Sequence, residues 1–249
     1  MEKNIPKWPP YWQTGVIKTA NSMGIMTTEL SPSSKEFIEY CKVVTKPVLD
    51  IGCAFGSATF PALNNGAEVI ACDICKTHLD FIAENVDSKL SSKLKLVHGD
   101  FLKNLYLEPK SLSAIHISMV LHFLTGDQIK AGLKKCLDWL EPNGKLFILN
   151  MTADLGIYNQ QTLKAEINKK KLRGDKFPGE INERDFARED YITQIPEFAH
   201  FFDYETLGNI IKSSGFEIEC INYFCFDEIP QFYKTNGKEY IAAIAKKKL

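Results

Sequence analysis

From residue 46 onward, short β-branched and apolar runs alternate with amphipathic helical stretches, and this alternation leaves few folds open. Strands separated by helices pair in parallel, and the helices cover both faces of the sheet. The runs fall at 47–51, 67–72, 94–97, 112–118, 145–150, 216–224 and 240–245. Between the first two, 57–65 reads as a short helix closed by Gly66, with Pro61 confined to its early part. Leu79, Ile82, Val86 and Leu90 place an apolar stripe on the next helix. The clearest helix spans 126–140, with Thr125 and Gln128 at capping-box spacing and Pro142-Asn143-Gly144 turning the chain into the fifth strand. A last helix at 204–214 is stopped by Gly215. The two final strands, joined through Gly237 with no helical pattern between them, predict an antiparallel hairpin. Right-handed crossovers then require the chain to wind outward in both directions from its first strand.

The reading is a doubly wound α/β fold: a mostly parallel seven-stranded sheet, a terminal antiparallel hairpin and a helical insertion after strand five. Residues 46–150 and 204–249 build this domain. Residues 1–45 form an amino-terminal cap segment, and 151–203 form a lid or acceptor-binding insertion. The insertion is about fifty residues long, far above the usual connection of about 4 to 6, and so predicts structure and function of its own.

Thirty basic residues against thirty-one acidic ones leave no whole-surface footprint for nucleic acid. Lys169-Lys170-Lys171 and Lys246-Lys247-Lys248 read as solvated ends. No run of about 18 apolar residues suggests a membrane span, and the first residues lack the apolar stretch of a secretory signal, so a cytosolic location is expected. The seven cysteines follow no framework spacing. Cys72 and Cys75 stand at CxxC spacing without a second pair and read as reduced thiols, and no set of His or acidic residues suggests a metal site.

The chemistry concentrates at strand ends. Val48-Leu49-Asp50-Ile51-Gly52-Cys53-Ala54-Phe55-Gly56 is an apolar strand ending in an acid, followed by a small-residue turn into a helix. Glycine allows close approach of a ligand to backbone, and amides at a helix start can hold a carboxylate or phosphate. The second strand ends at Asp73, where a carboxylate can accept from the two hydroxyls of a ribose. The third is followed by His98-Gly99-Asp100-Phe101, an acid beside an aromatic ring able to cover an adenine.

Over roughly residues 46 to 150 this ordered set resembles the class I S-adenosylmethionine-dependent methyltransferases, which have a Rossmann-like fold. Asp50, Gly52 and Gly56 match that family's glycine-rich motif, Asp73 its ribose-binding acid, and Asp100-Phe101 its adenine-flanking pair. The segments 114–124 and 140–146 resemble its fourth strand and its turn into strand five. The resemblance implies S-adenosylmethionine as cofactor, contacted by Asp50, Gly52, Cys53, Gly56, Asp73, Ile74, Asp100, Phe101 and Ser118. It implies methyl transfer by in-line displacement. Ala54 departs from the pattern where the family often has a second glycine, and its methyl group is expected to narrow the room beside the methionine part of the cofactor.

Two other readings are open. A nicotinamide or flavin oxidoreductase would show GxGxxG, but Ala54 and Ser57 occupy the second and third glycine positions. A cofactor-binding module without catalysis is separated from an enzyme by cofactor consumption.

If the acceptor needs a base, His122 is the candidate, since it follows strand four at the ligand-binding end of the sheet. His200 is a second possibility. His98 and His116 read as structural, and His78, opening a helix, as exposed. Ser118-Met119-Val120-Leu121 lacks the Asn-Pro-Pro-Tyr pattern of enzymes acting on amide or base nitrogens, so a small-molecule acceptor is expected. Trp8, Tyr11, Trp12, Tyr158, Phe177, Phe186, Tyr191 and Phe198 either pack lid helices or line an apolar acceptor pocket.

Overall fold

The computed structural model describes residues 8–11 and 15–248; Trp12 lies outside them. In chain order the elements are β1 (Val16–Lys18), β2 (Ile25–Thr27), α1 (Pro32–Tyr40), β3 (Val48–Ile51), α2 (Thr59–Asn64), β4 (Val69–Asp73), α3 (Lys76–Asn85), β5 (Leu94–His98) and β6 (Leu112–Ser118). There follow α4 (Gly126–Trp139), β7 (Leu140–Met151), α5 (Gln160–Arg173), β8 (Glu180–Asn182), β9 (Phe198–His200), α6 (Tyr204–Ser213), β10 (Phe216–Phe224) and β11 (Tyr240–Lys247).

The seven-stranded sheet has the order β10-β11-β7-β6-β3-β4-β5. The chain starts this sheet at β3, winds through β4 to β5 on one side, then returns to β6 and β7 on the other. Those five strands are parallel, while β11 runs antiparallel to both β7 and β10. β3 and β4 are buried along their whole length, as strands covered on both faces must be. Successive side chains of β3 diverge accordingly. Val48 packs with Phe37, Leu63 and Phe147 under α1 and α2, while Leu49 and Ile51 join Ile129, Leu133, Leu207 and Ile211 of α4 and α6.

Local signals account for several boundaries. Thr125 and Gln128 form the expected capping box of α4, and Gly174 ends α5 in a left-handed conformation at φ 82°. The stripe on α3 stops earlier than its periodicity predicts: Leu79 and Ile82 are buried, the helix ends at Asn85, and Leu90 belongs to the following turns. β7 begins at Leu140, directly after α4, and takes in the Pro142-Asn143-Gly144 turn, where Asn143 has φ 62°.

Both flanking segments contain strands that no periodicity announces. β1 pairs with β2 beside the carboxyl ends of β3 and β4, and the insertion adds the two-stranded sheet β8–β9 to its helix α5. The lysine run 169–171 is only partly solvated. Lys170 Nζ bonds the Glu180 carbonyl and Lys171 pairs with Asp203 and Glu205, tying α5 to β8 and α6.

Candidate active site

A cavity of about 720 Å³ opens along the carboxyl ends of β3, β4 and β6 and continues beneath the insertion. This is the position at which ligands sit in doubly wound sheets, and the volume suits one or two small molecules. Of the sequence-predicted residues, Asp50, Gly52, Cys53, Asp73, Ile74, Asp100, Phe101, Ser118 and His122 border it. Gly56 is not among the lining residues: at φ 86° it closes the turn, and a Cβ there would stand 3.1 Å from Ile82 and Phe60.

The turn after β3 serves the protein's own packing more than the sequence implies. The amides of Gly52 and Cys53 both donate to the Cys72 carbonyl, that of Ala54 to Asp73 Oδ2, and that of Gly56 to the Cys53 carbonyl. With these donors engaged, and α2 beginning only at Thr59, the expected cradle of amides for a carboxylate is absent from residues 52–54 and 56. Gly52 is required for a different close approach: a Cβ on it would lie 2.3 Å from Val120 Cγ2. Ala54 adopts φ 46°, a left-handed conformation that favours glycine.

Two buried acids organise the site through histidines. Asp50 Oδ1 accepts from His116 Nδ1 at 2.8 Å and Oδ2 from Thr59 Oγ1 at 2.7 Å. Ser34 Oγ, on the first turn of α1, stands 2.9 Å from His116 Nε2, within hydrogen-bond distance. Asp50 is therefore a fixed support beneath the turn. Asp73 Oδ1 accepts from the Cys75 amide and faces His78 Nδ1 at 3.1 Å, while Oδ2 accepts from Ala54. Of the roughly four acceptor positions on a carboxylate, about one is left for a ligand hydroxyl, where the sequence suggested two.

His78 corrects its sequence reading: the ring is buried, not exposed. Its Nε2 accepts from the Ala20 amide at 2.9 Å, so the proton on Nδ1 points at Asp73. This ring joins the β1–β2 hairpin to the acid at the end of β4. Phe101 borders the cavity, with most of its ring taken up by packing. It is buried in the core against Gly132 of α4, where a Cβ would come within 2.9 Å of it. The half-exposed Ile74 is the larger apolar surface at that edge of the cavity.

His122 borders the cavity but is buried, with no hydrogen-bond partner at Nδ1 among the described residues. Burial pushes its pKa down to about 3. It is neutral at ordinary pH and a weak proton acceptor. His200 does not line the cavity; its ring stacks on Phe202 at 4.6 Å, and burial lowers its pKa to about 4. Burial also pushes the Cys72 thiol up to about 12 and that of Cys53 well above its ordinary value, so neither is a ready nucleophile. No group of His, Cys, Asp or Glu among the described residues could hold a metal ion.

Of the flanking aromatics, Tyr158 and Tyr191 line the cavity. Trp8, Tyr11, Phe177, Phe186 and Phe198 do not, Trp8 stacking instead on Phe81 at 6.2 Å. Sequence reasoning missed Glu183, a buried carboxylate on the cavity wall whose Oε2 accepts from the Tyr158 hydroxyl. No local signal marks it, because the pair is assembled by folding of the insertion.

Residues 48–144 match the family model described as a methyltransferase domain. The chain is similar in structure to an S-adenosylmethionine-dependent methyltransferase from Mesorhizobium loti, with a TM-score of 0.63 at 16% identity over 87% of this chain and 99% of that one. At that identity the likeness is one of fold. In sequence it is similar to carboxy-S-adenosyl-L-methionine synthase from Shewanella piezotolerans, 29% identical over 41% of this chain and 42% of the relative. It is also similar to a human tRNA N(3)-cytidine methyltransferase, 25% identical over 70% of this chain and 42% of the relative. The chain thus spans about two fifths of the length of these curated relatives. The methyltransferase-domain match over residues 48–144 and the seven-stranded sheet agree in giving the chain the fold of the S-adenosylmethionine-dependent methyltransferases.

Proposed function

We propose that the protein transfers the methyl group of S-adenosylmethionine to a small-molecule acceptor. The observation that carries this reading is the continuous cavity, which runs from Asp73 and the 52–54 turn to an apolar chamber under the insertion. S-adenosylmethionine, when bound, supplies a methyl group already activated by its sulfonium. The work left to the chain is binding, alignment and exclusion of water.

Asp73 would receive a ribose hydroxyl at its remaining acceptor position, held in place by Ala54, Cys75 and His78. Ile74 would flank the adenine, and Asp100 stands at the same edge. Lys18, the one lysine or arginine among the described lining residues, is the group that would meet the methionine carboxylate. Asp50 and His116 would act indirectly, by holding the turn against β6. The β1–β2 hairpin and the insertion both line the cavity and would shield the reaction from water.

The lining charges favour a small molecule over a nucleic acid. Glu29, Asp50, Asp73, Asp100 and Glu183 border the cavity against Lys18, a balance that repels phosphates. Calorimetric titration with S-adenosylmethionine and S-adenosylhomocysteine tests the reading. Both should bind, and Asp73→Ala should weaken binding at least tenfold, while His122→Ala leaves it nearly unchanged. Absence of binding to either compound overturns the proposal.

A further inference from the structure

The part of the cavity beneath the insertion has a composition that selects for one kind of ligand. Its walls include Met151, Leu155, Ile157, Phe226, Tyr233 and Tyr240, with Thr193 and Gln194 adding uncharged polar groups. Among the described lining residues from 119 onward, Glu183 is the one Asp, Glu, Lys or Arg side chain, and His122 is neutral.

Glu183 is unusual for a buried acid. Paired burial is the rule for carboxylates, because an isolated charge in an apolar setting is strongly disfavoured. Here the carboxylate is 3% exposed and makes no ion pair among the described residues. Its neighbour Arg184 is turned away, bonding Glu197 and the Ile195 carbonyl. Oε2 accepts from Tyr158, and Oε1 has no partner among the described residues. The surrounding phenols stay protonated and supply no counter-charge: burial raises the Tyr233 pKa to about 12 and those of Tyr158 and Tyr240 further above their ordinary value. The same burial, with no cation in contact, holds the Glu183 carboxyl up at about 7. Oε1 is thus left as an acceptor without a donor on the wall of a chamber lined by aromatic side chains, which attract positive charge.

We propose that this chamber binds a primary or secondary amine carried on an apolar or aromatic body, with Glu183 accepting from the amine N–H groups and Tyr158 holding the carboxylate in position. The assignment rests on the methyl-transfer reading, of which it names the acceptor class. An amine arriving as an ammonium ion gives one proton to Glu183 and becomes a nucleophile. Its nitrogen lone pair then forms the N–C bond as the S–C bond of the sulfonium breaks, and the S–C electron pair remains on sulfur as a neutral thioether. The positive charge passes from sulfur to the methylated nitrogen, and the proton held by Glu183 leaves to solvent when the product departs.

Three compounds of similar shape test this on the full chain saturated with S-adenosylhomocysteine: 2-phenylethylamine, 2-phenylethanol and 3-phenylpropionate, each titrated calorimetrically at neutral pH. The amine should bind at least tenfold more tightly than either of the others. Glu183→Gln should remove at least tenfold of the amine affinity while leaving S-adenosylhomocysteine affinity within twofold. The proposal is overturned if the alcohol or the carboxylate binds as tightly as the amine, if none of the three binds, or if the folded Glu183→Gln variant keeps the preference. Should that variant fail to fold, the comparison on the unaltered chain decides alone. Failure of S-adenosylhomocysteine to bind would instead remove the methyl-transfer reading. The amine series on the chain by itself would then still support or overturn the ligand class.

Discussion

At the scale of single residues, Ala54 and Glu183 carry the most information. Ala54 keeps a methyl group at φ 46° in a turn where the family often has glycine, and a left-handed conformation costs an L-residue about 1–2 kcal/mol. Part of that is offset because glycine gives the unfolded chain more freedom, by about 0.5–1 kcal/mol. Ala54→Gly should therefore stabilise the protein by up to about 1 kcal/mol in urea unfolding; a loss would mean that the methyl contacts with the Ile17–Met26–Phe55 cluster outweigh the strain. Glu183 makes a prediction with a defined sign. Its carboxyl lies at about 7 in the fold against an ordinary 4.5, so between these values the native state keeps a proton that the unfolded chain has lost. Stability then falls as pH rises through that window and levels off above it, a total effect of about 3 kcal/mol. The Tyr158 hydroxyl bonded to the carboxylate and the positive charge of Arg184, though directed elsewhere, both moderate the shift. Glu183→Gln should flatten this part of the profile, which unfolding measurements at pH 5 and pH 8 on both proteins would reveal.

Elements differ in how openly they declare themselves. α4 is legible because a capping box, a sustained apolar face and a turn sequence agree. The inner strands β3, β4 and β6 are legible because burial on both faces demands apolar runs. The three-residue strands β1, β2, β8 and β9 are not, since so short a segment has no measurable period and is held by what it packs against. The β1–β2 hairpin is the consequential case. Its Ala20 amide bonds His78, whose other nitrogen faces Asp73, so the hairpin and the candidate ribose acid share one ring. His78→Ala should raise amide exchange in residues 16–27 and weaken S-adenosylhomocysteine binding several-fold. Hydrogen exchange with calorimetry on the same variant checks both, and unchanged exchange would show that the hairpin is held by Ile17 and Met26 alone.

The whole molecule joins two flanking segments to one sheet around one cavity. A ligand that bridges those parts stabilises the native state by mass action, so S-adenosylhomocysteine at a hundredfold its Kd should add about 2.7 kcal/mol to the unfolding free energy. An unchanged unfolding midpoint would count against occupancy of the native cavity. Among the described residues no helix is long and apolar enough to cross a membrane. The sequence by itself determined the outline of the sheet: its seven strands, the outward winding from the first strand, the terminal hairpin and the order of the acids Asp50, Asp73 and Asp100 along the chain follow from periodicity, crossover handedness and chain order. Tertiary structure decided what those residues touch. Whether a turn amide is free for a ligand or bonded to Cys72, how much of Phe101 packs on α4, and whether His78 meets solvent or Ala20 depend on atoms brought together from distant parts of the chain. The same holds for Tyr158 and Glu183, twenty-five positions apart, whose pairing and burial arise only when the insertion closes over the sheet, because desolvation and hydrogen-bond geometry are properties of an enclosed space and not of a sequence window.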